Sequence, residues 1–137
     1  MKALVPAMVL VAALQSGVQM ETIARDNMSH VEDARQAVAR TPAEWAALWR
    51  RHAGDQPAPK IDFTKRTVVA VFLGTRPTAG YAVEVSGTKP VDKTLIVEWS
   101  EQTPTPGNVV AQVITSPSHL VSIPKFDGEI TFRKVDR

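Results

Sequence analysis

The sequence predicts an α+β fold, mainly antiparallel β in a sandwich-like or curved-sheet arrangement, with one amphipathic helix packed on a face. Three observations carry this. The first is Val68-Val69-Ala70-Val71-Phe72-Leu73, a continuous apolar run that reads as a strand buried on both faces. The second is the alternation of Tyr81, Val83 and Val85 with Ala82, Glu84 and Ser86, the pattern of a half-buried strand. The third is one clean helical segment upstream, with its own start and stop signals.

In chain order, Glu21 to Asp26 reads as a short strand and Asn27-Met28-Ser29 as a turn. Ala34 to Arg40 is readable either as helix or as a short edge strand. The helix follows. Thr41 is its N-cap, Pro42 its first residue, and Glu44 completes a capping box. Trp45, Leu48, Trp49 and His52 fall at helical spacing on one face, and Gly54 is the stop. Asp55-Gln56-Pro57-Ala58-Pro59 is a stiff connector. Beyond it all is β: Thr94 to Ser100 alternates, Val109 to Thr115 is β-branched and apolar on both faces, and Leu120 to Ile123 is a short strand. Asp127-Gly128 reads as a hairpin turn into Ile130 and Phe132.

A chain of 137 residues is expected to form one domain. Met1-Lys2, the apolar run from Ala3 to Leu14 and Gln15-Ser16-Gly17 read as a signal peptide over 1–17, leaving a domain over 18–137. That apolar run is shorter than the ~20 residues of a membrane-spanning helix, so no integral membrane segment is expected in the mature protein. The expected location is periplasmic or secreted.

Composition narrows the function. The chain has no cysteine, which excludes disulfides, thiol catalysis and Cys-ligated metal. Net charge is +2 with basic residues scattered, not the stripe a nucleic-acid surface needs. No Gly-x-Ser-x-Gly elbow, His-Glu-x-x-His helix or phosphate loop occurs. Of the three histidines, His52 shares the Trp face of the helix, His30 lies in an irregular segment, and His119 adjoins Ser118. Neighbours on a strand point to opposite faces, so Ser118 and His119 make no local dyad. Glu84 and Glu98 fall at outward positions of two neighbouring strand candidates, where facing carboxylates usually pair with Lys or Arg. The sequence therefore predicts no enzyme, no cofactor and no metal, and leaves the oligomeric state open.

What remains is a binding surface. Thr75, Arg76, Pro77, Thr78, Gly80 and Tyr81 form a compact loop between two well-specified strands, where recognition residues commonly sit. Ser116, Pro117 and His119, together with the Thr103–Gly107 loop, are placed beside it as helpers. Pro in these loops fixes backbone conformation in advance and lowers the entropy lost on binding.

Several segments in order resemble the C-terminal domain of the PrcB-type protease complex subunit family. They are Trp45-Ala46-Ala47-Leu48-Trp49, Asp62-Phe63, Val69 to Gly74, Pro77 to Val85, Val97 to Pro104 and Thr115 to Lys125. The family is named for a surface lipoprotein thought to associate with and stabilise a subtilisin-like secreted protease, and no catalytic residues are attached to it. The resemblance implies an exported, non-enzymatic interaction module with an exported protease as its partner. This chain lacks the lipid-attachment cysteine. A looser likeness joins Arg76-Pro77-Thr78-Ala79-Gly80-Tyr81 to a loop of the chagasin-type cysteine-protease inhibitors, without the Gly-x-Gly-Gly loop of that family. Two alternatives follow: a protease inhibitor using the Thr75–Tyr81 loop, and an envelope ligand-binding domain.

Overall fold

The computed structural model describes residues 20–136; the expected signal peptide over 1–17 lies outside them. The elements are β1 (Glu21–Asp26), β2 (Arg35–Ala39), α1 (Pro42–Ala53), β3 (Arg66–Phe72), β4 (Ala82–Val91), β5 (Thr94–Gln102), β6 (Ser118–Pro124) and β7 (Glu129–Lys134). They form three layers. A four-stranded antiparallel sheet in the order β1-β6-β3-β2 lies between α1 and a three-stranded sheet in the order β4-β5-β7.

The continuous apolar run is continuous because β3 is the middle of the middle layer. Val68, Ala70 and Phe72 pack toward the helix with Trp45, Leu48, Trp49 and Leu120. Val69, Val71 and Leu73 pack toward the second sheet with Val83, Val85, Val97, Val121 and Ile123. A strand with core on both faces loses the polar half of its alternation. Each such side chain contributes about 1.5–3 kcal/mol by leaving water.

The helix begins and ends where its signals place it. Thr41 Oγ1 accepts the Glu44 N–H, and the Gly54 N–H returns to the Arg50 carbonyl. The Glu44 carboxylate accepts the Arg40 N–H, closing the N-terminal turn one residue upstream of a standard box. Both indoles keep a polar partner although buried: Trp45 Nε1–H donates to the Pro59 carbonyl and Trp49 Nε1–H to the Gln56 carbonyl, each at 2.9 Å. The connector after α1 is thereby folded back under the helix. The segment readable two ways, Ala34 to Arg40, is the edge strand β2.

Three expectations are corrected. Val109 to Thr115 is not a strand; 109–114 form a largely exposed loop, with Val109 fully exposed, and Thr115 is buried in an isolated bridge to Arg76. It follows β5 and precedes β6, and each of these already has both neighbours. Its backbone bonds go to the 73–81 loop, at Arg76–Thr115 and Ala79–Ala111, rather than to a sheet edge, and strand propensity without a strand partner makes no strand. Asp127-Gly128 does not close a hairpin. β6 is flanked by β1 and β3, so the chain crosses to the other sheet and β7 runs parallel to β5. Arg40 holds that crossing by donating to the Phe126 and Gly128 carbonyls, and a Cβ on Gly128 would lie 2.7 Å from the Lys93 carbonyl oxygen. Finally, Glu84 and Glu98 do not face each other. A bulge between Val85 and Gly87 sets Glu84 opposite Ser100 and Glu98 opposite Gly87. Glu98 instead pairs with Arg133, and Glu84 lies 3.8 Å from Arg25.

Candidate functional site

The register of both sheets brings the ends of β1, β3 and β5 and the starts of β4 and β6 to one pole of the molecule. Three connections meet there: residues 27–34, 73–81 and 103–117.

The 73–81 loop is braced on both sides. The Thr75 N–H and hydroxyl both donate to the Glu32 carbonyl. Arg76 and Thr115 exchange a pair of backbone bonds at 2.8 and 2.9 Å. The Ala79 N–H donates to the Ala111 carbonyl, and the Thr115 hydroxyl donates to that of Thr78. Gly80 has φ +97°, and a Cβ there would sit 2.8 Å from Pro104 Cγ and 3.3 Å from Val110 Cγ1. Glycine is required twice over, for the backbone conformation and for the close approach.

Arg76 is the electrostatic centre of the pole. Its Nε–H donates to Glu101 at 2.9 Å, a second guanidinium nitrogen donates to the Leu73 carbonyl, and its head lies 5.9 Å from the Tyr81 ring centre. Glu101 also accepts from Lys134, whose ammonium lies 5.5 Å from the Trp99 ring centre. The Arg76 hydrogen bond holds the Glu101 carboxyl below its usual range; burial opposes this and Lys134 reinforces it. Tyr81, Arg76, Glu101, Lys134 and Trp99 thus form one chain of contacts.

The nine residues expected at the surface divide three ways. Thr75, Pro77 and Gly80 are exposed; Arg76, Thr78 and Tyr81 are half-buried; Ser116, Pro117 and His119 are buried. The last three belong to the clamp beneath the pole. Ser116 exchanges backbone bonds with residues 27–29, and the Pro117 carbonyl accepts the Leu73 N–H. The reason is that β6 is a central strand, so the residues leading into it are drawn between layers. The exposed large apolar residues at this pole are Met28, Val109, Val113 and Ile114. Nothing in the sequence separated these from core apolar residues, because exposure here depends on which segments join a sheet.

His119 bridges the layers. Its Nδ1 accepts the Val85 N–H at 2.9 Å and its Nε2 lies 2.9 Å from Thr22 Oγ1. An imidazole that accepts an amide at Nδ1 carries its proton on Nε2, which then donates to Thr22. That polarity is the reverse of a general base taking a proton from a hydroxyl. Burial pushes the His119 pKa down to about 4; nearby Arg25 adds to the shift and Glu84 opposes it. His52 Nδ1 meets the Ser29 hydroxyl at 2.8 Å, with both residues buried. Burial is also the main cause of the lowered His52 pKa. Among the described residues, no three His, Asp or Glu side chains gather as metal donors, and no helix is long and apolar enough to cross a membrane. A cleft of about 460 Å³ opens beside the pole between Arg25, Asp26, Asn27, Ala82, Val83 and Ser118.

Residues 67–124 match the family model described as PrcB C-terminal. The matched segment runs from β3 to the end of β6 and contains both the 73–81 loop and the 103–117 loop. No curated protein and no solved structure matches the chain.

Proposed function

We propose that this chain, whose residues 67–124 carry a PrcB C-terminal domain, is a non-catalytic, exported accessory module that binds a protease through its loop pole. The observation that carries the reading is the bracing of one pole loop by the other within the matched segment. Arg76 and Ala79 are bonded to Thr115 and Ala111, so the exposed Thr75 and Pro77 are presented on a backbone already fixed. A pre-formed surface of this kind loses little entropy when it docks. The two imidazole–hydroxyl pairs support the non-catalytic part: the His119 pair has the wrong proton polarity for a base, and the His52 pair is buried. Export rests on the apolar segment Ala3 to Leu14 behind Lys2.

The test is affinity capture of a C-terminally tagged protein, expressed in its native host, from envelope and medium fractions. The expected result is one protease recovered in near-equal amount, with a longer active lifetime in the presence of the chain. Abolition of that protease's activity by the chain would move the reading to inhibition. Capture of no protease from a fraction that clearly contains the chain would overturn the reading.

A further inference from the structure

We propose that residues 109–114 form the self-association edge of this protein, pairing antiparallel with the same segment of a second copy. Val109-Val110-Ala111-Gln112-Val113-Ile114 has the composition of a strand: β-branched, uncharged and without Pro or Gly. The fold leaves it unpaired. Val109 is 100% exposed, Ile114 66% and Val113 50%. Among the described residues, the N–H groups of 109–114 donate no hydrogen bond, and their carbonyls accept only from Ala79 N–H and the Gln112 amide. Exposed apolar side chains beside free backbone donors are what strand addition consumes.

The occupant is argued from symmetry and charge. A two-fold axis at Ala111 sets Ala111 opposite its own copy, Val109 opposite Val113 and Val110 opposite Gln112. On the face of Val109, Ala111 and Val113, apolar residues meet apolar residues in an isologous contact. No Asp, Glu, Lys or Arg occurs between Glu101 and Lys125, so two copies meet here without like-charge repulsion, and the segment offers no charge for a charged partner to read. The loop projects at a pole, and both its ends are anchored, by Pro104 against Gly80 and by Thr115 against Arg76. This inference does not rest on the protease reading, because its test uses the purified protein alone.

Sedimentation equilibrium across low to high micromolar protein is expected to show a reversible monomer–dimer equilibrium. Val109→Lys with Val113→Lys sets like charges opposite each other twice and raises the dimer dissociation constant about tenfold or more. Val109→Glu with Val113→Glu does the same. An equimolar mixture of the two double variants regains association as a heterodimer, which loss of apolar surface alone would not produce. Melting temperatures of both stay at the wild-type value, since these side chains are exposed. A wild-type protein that is monomeric throughout, double variants that dimerise like wild type, or a mixture that stays monomeric would each overturn the proposal.

Discussion

His119 Nδ1 accepts the Val85 amide hydrogen at 2.9 Å, so a side chain of the central sheet closes the free edge of the outer one. Among the described residues β4 has β5 on one side only, and the imidazole takes the place of a strand neighbour on the other. The bond exists only while His119 is neutral. Unfolded His119 takes up a proton near pH 6.5, whereas the folded residue does so near 4. Between these values the unfolded state binds more protons, so stability rises with pH across the window. It is fully present above about 6.5, falls as pH drops, and levels off below about 4. The difference corresponds to roughly 3 kcal/mol. Urea denaturation at a series of pH values checks this: His119→Gln removes that share of the acid dependence. Parallel pH profiles for the two proteins would contradict the assignment.

Gly80 and Gly107 separate backbone strain from packing. Both have positive φ, +97° and +89°, but a Cβ on Gly80 meets Pro104 at 2.8 Å while one on Gly107 meets nothing within 4 Å. Gly107→Ala is expected to cost about 1–2 kcal/mol, the left-handed penalty alone. Gly80→Ala adds the collision and costs about 1–3 kcal/mol more. Equal losses in denaturant melts would mean that the two loops do not pack as described.

Trp49 contributes both surface and a hydrogen bond. Its ring lies tilted 5.4 Å from that of Trp45 and edge-to-face 5.2 Å from that of His52, and its indole N–H donates to the Gln56 carbonyl. Trp49→Ala should lose about 3–5 kcal/mol. Trp49→Phe keeps much of the packing and leaves that carbonyl unpaired, for about 1–3 kcal/mol. A thermal melt orders wild type, Phe and Ala in that sequence; an unchanged Trp49→Ala protein would show that α1 is not part of the core.

Glu101 joins two cations at the pole. Glu101→Gln withdraws the charge that both Arg76 and Lys134 approach. The expected loss is about 1–2 kcal/mol, shrinking as salt screens the exposed Lys134 half of the pair. Raising NaCl from 50 mM to 1 M should narrow the gap between variant and wild type. A gap that widens would contradict the ion-pair description.

The local elements were readable because their signals are local. Thr41, Pro42 and Gly54 bound the helix, and Val68 to Leu73 announced a strand with core on both faces. The family resemblance was readable too, and the match over 67–124 supports it. What the sequence hid depends on which edges are free. Val109 to Ile114 has strand composition but joins neither sheet, and His119 looked like a loop residue but leads a central strand. Arg76 and Glu101 are 25 residues apart, joined by a register that a bulge at Val85 adjusts. The exposed loop from Thr75 to Tyr81 was readable, while Ser116, Pro117 and His119, counted with it as surface, are buried.

The central claim is that the loop pole holds a protease partner. The most direct measurement compares affinity capture by wild type, by Pro77→Glu at the pole and by Lys93→Glu at the far β4–β5 turn, both substituted residues being exposed. The account predicts near-stoichiometric protease with wild type and with Lys93→Glu, and at least a tenfold loss with Pro77→Glu at unchanged melting temperature. Equal capture by all three proteins would contradict the placement of the surface, and no protease with any of them would contradict the function.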